Sequence, residues 1–228
     1  MKVNQSGIGC NCGGKFFNIL AYADDLVLLA PSWAALQSLI NLVETLSANL
    51  DMSLNCRKTV CMIYKPTCIS KALRCDFPKF RMSNGELEFV KTFRYLGHLI
   101  SDDATDNCDI ECEIRNIFIR TNTLIRKFHM CSKRVKLLLF KSFCLCFYGI
   151  ALWNSFNVTC LNRFKAAYHK CIKKIFGFAR RDSMSAILIE LNLPSFDTVL
   201  CNHRHALNMQ RIGCKNSFVD HLMTISKF

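Results

Sequence analysis

Two adjacent carboxylates, Asp24 and Asp25, follow Tyr22 and Ala23 between the apolar runs Phe16 to Leu20 and Leu26 to Ala30. Mg²⁺ takes hard oxygen ligands in near-octahedral geometry, so its chemistry needs carboxylates held still. Two Asp at the end of a hairpin deliver oxygens to one point, and paired strands keep that point fixed. Ions held there serve phosphoryl transfer: one lowers the pKa of an attacking hydroxyl, and the other steadies the leaving group. An isolated Asp-Asp pair is more often an ordinary polar turn. The flanking apolar strands and the preceding Tyr favour the metal reading.

Two other groups of ligand-type residues carry less. Asp102 to Glu113 has the length of an EF-hand loop, yet Ala104 takes a ligand position and Asn107 the glycine position. Acidic residues at a helix N-terminus explain the run better, since they favour the helix dipole. Cys201, His203, His205 and Cys214 do not have a usual zinc spacing.

The elements that position these residues follow from periodicity. The runs around Asp24-Asp25 read as two strands joined by a tight turn. Pro31-Ser32 ends the second strand, and Ser32 caps a helix whose apolar residues run from Leu36 to Leu50. Val60 to Tyr64 reads as a strand stopped by Pro66. Phe80 to Met82, Leu87 to Phe89 and Tyr95 to Ile100 read as further strands, with Asn84-Gly85 turning between the first two. From about residue 105 the period is helical. Ile110 to Phe128 form one amphipathic helix, Lys133 to Trp153 a second, and Leu161 to Ile175 the stripe of a third. The apolar segment Phe143 to Trp153 is too short to span a bilayer.

Charge divides the same way. Residues 111–228 hold 19 Lys and Arg against 6 Asp and Glu, which is the whole net charge of +13. Nucleic-acid backbones are the commonest partner of such a surface, because cations on phosphates release condensed counterions. Arg115, Arg126, Arg163, Lys170, Lys173 and Lys174 stand away from the apolar stripes and are the expected backbone contacts. The hydrophobic fraction of 51% is ample for a core. The 15 cysteines are odd in number and scattered through apolar segments, which suits reduced, buried thiols. Met1 to Gly14 lacks the apolar core of a leader, so an intracellular protein of cytoplasm or nucleus, neither secreted nor membrane-bound, is expected.

The segment from Phe17 to Ser32, centred on Tyr22-Ala23-Asp24-Asp25, resembles the palm hairpin of non-LTR retrotransposon reverse transcriptases. Later blocks agree in order. Leu54 to Met62 resembles the next palm block, and Phe93-Arg94-Tyr95-Leu96-Gly97-His98-Leu99-Ile100 resembles the primer-grip hairpin. Met130-Cys131-Ser132, Leu139-Phe140-Lys141 and Leu152-Trp153 resemble the helical thumb. The likeness runs from about Gly9 to about Cys214.

The resemblance implies an α+β fold: a partial palm over residues 1–104, then an all-helical thumb and basic C-terminal extension over 105–228. It implies Asp24 and Asp25 as Mg²⁺ ligands, Lys58 as the acid protonating pyrophosphate, and Tyr22 under the primer terminus. Tyr95, Leu96 and Gly97 fall at the primer grip, Gly97 in a tight turn. The implied partners are an RNA template, a DNA primer and deoxynucleoside triphosphates, used in RNA-directed DNA polymerisation at a nicked genomic target. In the family a third metal-binding Asp and the fingers precede the hairpin; here 21 residues precede Tyr22, and none is Asp or Glu. The expectation is a C-terminal piece of a longer enzyme, unable to polymerise alone. The rival is a non-catalytic remnant whose basic helices still bind nucleic acid.

Overall fold

The computed structural model describes Val3, residues 7–64 and residues 77–225. Pro66 lies outside the described residues. Among the described residues the architecture is α+β, with seven α-helices and small, mostly antiparallel two-stranded sheets. The chain divides into two compact units, Met1–Lys91 and Thr92–Lys227.

In the first unit β1 (Cys10–Cys12) and β2 (Lys15–Phe17) pair antiparallel around Gly13-Gly14. The apolar run Phe16 to Leu20 is therefore two strand ends, divided at Asn18. The Asn18 side chain is the physical reason: its Nδ2 donates to the carbonyls of Val3 at 2.7 Å and Ile8 at 2.9 Å, and it is buried. A buried amide must be paired, and these bonds fix the chain where one hairpin gives way to the next. β3 (Ile19–Tyr22) then pairs with β4 (Asp25–Leu28).

Helix α1 (Trp33–Ala48) begins where expected, with the Ser32 hydroxyl accepting from Ala35 N–H. It buries Leu39, Ile40 and Val43, whereas Leu50 lies past its end and is exposed. β5 (Val60–Cys61) is shorter than the run Val60 to Tyr64 and lies parallel to β8 (Glu88–Phe89). β6 (Arg81–Met82) and β7 (Gly85–Glu86) turn at Ser83-Asn84, one residue earlier than expected. Side chains of α1 hold that hairpin: Gln37 bonds both N–H and C=O of Arg81, and Glu44 accepts from Ser83 N–H. Among the described residues the strands pair two at a time.

In the second unit Tyr95 to Ile100 is a turn flanked by strands. β9 (Thr92–Tyr95) and β10 (His98–Ser101) pair around Leu96-Gly97. The hairpin belongs with the helices, so the compact units meet before residue 92, ahead of the change to helical period near 105. Helix α2 (Asn107–Phe128) buries Ile110, Ile114, Ile117 and Leu124, as its stripe requires.

The helix expected from Lys133 through Trp153 is broken. α3 (Lys133–Leu139) passes into a π turn at Phe140–Cys144, with Leu145 N–H reaching back to Phe140 C=O. Gly149 is left-handed at φ 75°, and a short 3₁₀ turn covers Ile150–Leu152. Past these breaks Phe147, Ile150 and Trp153 are all buried in the core. α4 (Val158–Phe176) follows as expected. α5 (Met184–Glu190), α6 (Phe196–Ile212) and α7 (Ser217–Ile225) complete the unit. Phe164 is its hub, edge-on to Phe147 and Phe196 at 5.0 Å each.

Candidate functional site

Tyr22, Asp24 and Asp25 share the end of the β3–β4 hairpin. Tyr22 pairs with Asp25 across the strands, and Ala23 and Asp24 form the turn. Ala23 is left-handed at φ 52°. A non-glycine residue in that region stores strain of about 1–3 kcal/mol, and such strain clusters at functional tips. Tyr22 is 63% exposed, and both carboxylates are exposed with no hydrogen bond or ion pair among the described residues. The hairpin's root is firmer. Leu29 N–H donates to Asn18 C=O at 2.8 Å, and Ile19 and Leu28 pack with Val3, Leu39 and Val43.

This geometry can present oxygens to a cation. Mg²⁺ commonly keeps several waters and takes one or two carboxylates plus substrate phosphates, and Asp24 with Asp25 fit that mode for one ion. A two-ion clamp needs more donors. Among the described residues no group of three or more His, Cys, Asp or Glu is arranged to hold a metal.

Lys58 stands in a different turn. Asn55 organises it, accepting from Lys58 N–H through both backbone and side-chain oxygens at 3.2 Å. The Lys58 ammonium is exposed and pairs with neither Asp24 nor Asp25.

Tyr95, Leu96 and Gly97 form the corresponding turn of the second unit, with Leu96 at φ 47° and Gly97 at φ 83°. Tyr148 donates its hydroxyl to Leu96 C=O at 2.7 Å. Its ring lies so close that a Cβ on Gly97 would stand 2.9 Å from it, and a Cβ on Gly149 would stand 2.7 Å from His98 Nδ1. Two glycines thus let the hairpin turn and the segment before the 3₁₀ turn touch.

His98 sits at the centre of a buried polar node. Its Nδ1 lies 3.1 Å from Asp109 Oδ2 and its Nε2 3.8 Å from Asp106 Oδ1. The Nδ1 contact lacks hydrogen-bond alignment, so it acts as an ion pair when the ring is protonated. Asp109 also accepts Leu99 N–H at 2.9 Å and Trp153 Nε1–H at 2.8 Å. The neighbouring Asp109 carboxylate, aided by Asp106, holds the His98 pKa above its ordinary value although burial opposes this. Burial pushes Asp109 upward, but His98 and the two N–H donors outweigh it and its pKa is lowered. Sequence reasoning missed His98, Asp109 and Tyr148; a His and a Gly beside apolar runs were the only signals.

The basic residues divide into engaged and open. Arg163 pairs with Glu111, Lys165 with Asp197, and Arg120 with Glu113. Lys173 donates to the carbonyls of Arg180 and Asp182, and Lys174 to Asn122 Oδ1. Arg115, Arg126 and Lys170 are exposed with no partner among the described residues. Of the six expected backbone contacts, Arg163, Lys173 and Lys174 are thus tied into the fold, because acidic and carbonyl oxygens lie within reach of those helix faces.

The carboxylates of Asp102 to Glu113 are largely committed as well. Asp103 bonds Ser101 and Thr105, Asp106 accepts from Asn154 and Ser155 N–H, and Glu113 bonds Asn116 and Arg120. His203 Nδ1 lies 2.8 Å from Val199 C=O. The described cysteines are free thiols, and burial pushes Cys61 and Cys144 up to about 11, which keeps them inert. Among the described residues no helix is long and apolar enough to cross a membrane. No protein-family model and no curated protein matches this chain.

Proposed function

We propose that this chain is the palm and thumb part of an RNA-directed DNA polymerase of the non-LTR retrotransposon class, and that alone it binds nucleic acid without extending a primer. One observation carries the reading: Tyr22-Ala23-Asp24-Asp25 occupies the end of a β-hairpin with both carboxylates exposed and unpaired. The ordered blocks at Leu54 to Met62 and Phe93 to Ile100 support it. Asp24 and Asp25 would hold Mg²⁺, which neutralises charge on transferring phosphates. Lys58 would reach the leaving pyrophosphate only with nucleotide in place.

The test is primer extension on an RNA template with Mg²⁺ and deoxynucleoside triphosphates. The chain alone gives none. Supplying fingers and the third Asp from a reverse transcriptase of this class restores extension, and Asp24→Asn abolishes it. Extension unaffected by Asp24→Asn, or none after supplementation, would sink the reading. The basic second unit favours the rival, a purely binding remnant, and that last outcome with nucleic-acid binding intact would establish it.

A further inference from the structure

A cleft of about 330 Å³ opens in the second unit where the last turns of α2 and α4 meet the first turn of α3. Its polar rim is His129, Lys133, Lys136 and Lys174, and its floor includes Leu124 and Ile175. No carboxylate lines it. Lys133 pairs with Glu190 and lies over the Phe178 ring at 5.4 Å, and Lys174 donates to Asn122, so both ammonium groups are held in place. Lys136 is half-buried and, like His129, has no partner among the described residues.

Cations gather at helix C-termini because the dipole favours them, and that accounts for part of this cluster. It does not account for Lys133, which opens α3 at the end where the dipole repels cations. Nor does it account for an apolar floor beneath the Lys136 and Lys174 ammonium groups, neither of which has a carboxylate beside it. Pockets that bind small molecules combine such a floor with a few placed polar groups. Lysine is a point-charge binder of phosphate. Bases of single-stranded nucleic acid lie on apolar or aromatic surface while cations track the backbone.

From this we infer that the cleft binds one nucleotide unit, its phosphate held by Lys133, Lys136 and Lys174 and its ring over the apolar floor. The unit is supplied either by a strand or by a free nucleotide. The inference deepens the reading of this unit as nucleic-acid-binding, and places one specific contact within an otherwise diffuse basic surface.

The experiment uses the full chain without Mg²⁺, so its failure is separable from failure of the polymerase reading. A fluorescein-labelled single-stranded DNA 12-mer is titrated by anisotropy, with deoxyadenosine monophosphate and inorganic phosphate as competitors. Lys136→Glu is expected to weaken the 12-mer about tenfold or more, the size of losing a charge-assisted contact and gaining a repulsion. Lys136→Arg keeps binding, and Lys215→Glu, an equal charge change at an exposed site outside the cleft, alters it less than about twofold. Competition by the monophosphate at far lower concentration than by inorganic phosphate identifies a free nucleotide as sufficient. Competition by neither, with the Lys136 effect intact, identifies the strand as the source. Equal effects of Lys136→Glu and Lys215→Glu, or no binding of the 12-mer, overturn the inference.

Discussion

At the scale of single residues, the best-determined constellation is the His98 node. It joins β10, the first turn of α2 and Trp153 through Asp109, and one proton governs it. Asp106 and Asp109 are the charges facing the ring, so the protonated state is the one the fold favours. A folded pKa raised above 6.5 adds stability that is fully present below pH 6.5 and is lost as pH rises through the folded value. Asp109, lowered from 3.8, adds stability present above that value and lost as pH falls through its folded pKa. Between those limits both terms operate. Thermal melts from pH 5 to 9 should therefore show Tm declining as pH rises above 6.5, and His98→Gln should flatten that decline. A decline of the same slope in His98→Gln would show that other groups cause it. None of this was readable from sequence, because a single His and two Asp lying close in the chain carry no periodic signal. The place of Asp24 and Asp25 at a hairpin end was legible because Asp between two apolar runs marks a turn.

At the scale of elements, what the sequence disclosed depended on regularity. α1, α2 and α4 were legible because each keeps an unbroken apolar stripe, and Ser32 marks a start. The segment Lys133 to Trp153 misled because its apolar residues are nearly continuous, which hides a π turn and the left-handed Gly149. β1–β2 and α5 to α7 went unread: a three-residue strand and a seven-residue helix are too short to show a period, and α6, though 17 residues long, buries only Phe196, Val199 and Leu200 near its start. Gly149 is where the hidden break can be tested. Alanine there needs a left-handed backbone and places Cβ 2.7 Å from His98 Nδ1. Gly149→Ala should destabilise the chain by about 1–3 kcal/mol, the range for such strained positions. Tyr148→Phe removes only the bond to Leu96 C=O, about 0.5–1.5 kcal/mol. Hydrogen exchange at Tyr95 to Leu99 should rise in both variants. If Gly149→Ala melted like the parent with the turn still protected, the docking of this turn would not depend on close approach.

At the scale of the whole molecule, the two units differ in what holds them and in what they offer. The second has a continuous buried cluster from Ile110 to Leu200, with Trp153, Phe164 and Tyr168 fully enclosed. The first has two small clusters, around Ile40 with Leu87 and around Leu39 with Val43, while Phe16, Leu50 and Met52 remain exposed. A buried aliphatic or aromatic side chain contributes about 1.5–3 kcal/mol, so the second unit should fold when expressed as residues 92–227. A fragment without helical circular dichroism or a cooperative melt would refute that independence.

Charge follows the same division: residues 92–228 hold 20 Lys and Arg against 10 Asp and Glu, and residues 1–91 hold 10 against 7. Of those acidic groups in the second unit, Glu111, Glu113, Glu190 and Asp197 each pair with a cation, so the open cations face solvent with little local opposition. Fragment 92–227 should therefore keep the parent's affinity for single-stranded nucleic acid with weak sequence preference. Log affinity against log salt should fall with a slope of about 0.7 per phosphate neutralised. The engaged and open cations then separate in one experiment. Arg115→Gln, Arg126→Gln and Lys170→Gln together should flatten the slope, because these groups have no internal partner. Arg163→Gln and Lys173→Gln should leave the slope unchanged and lower the melting temperature, because these groups hold Glu111 and the Arg180 and Asp182 carbonyls. The reverse pattern would mean that the ion pair and carbonyl bonds open on binding, and that Arg163 and Lys173 rather than the open cations meet phosphate.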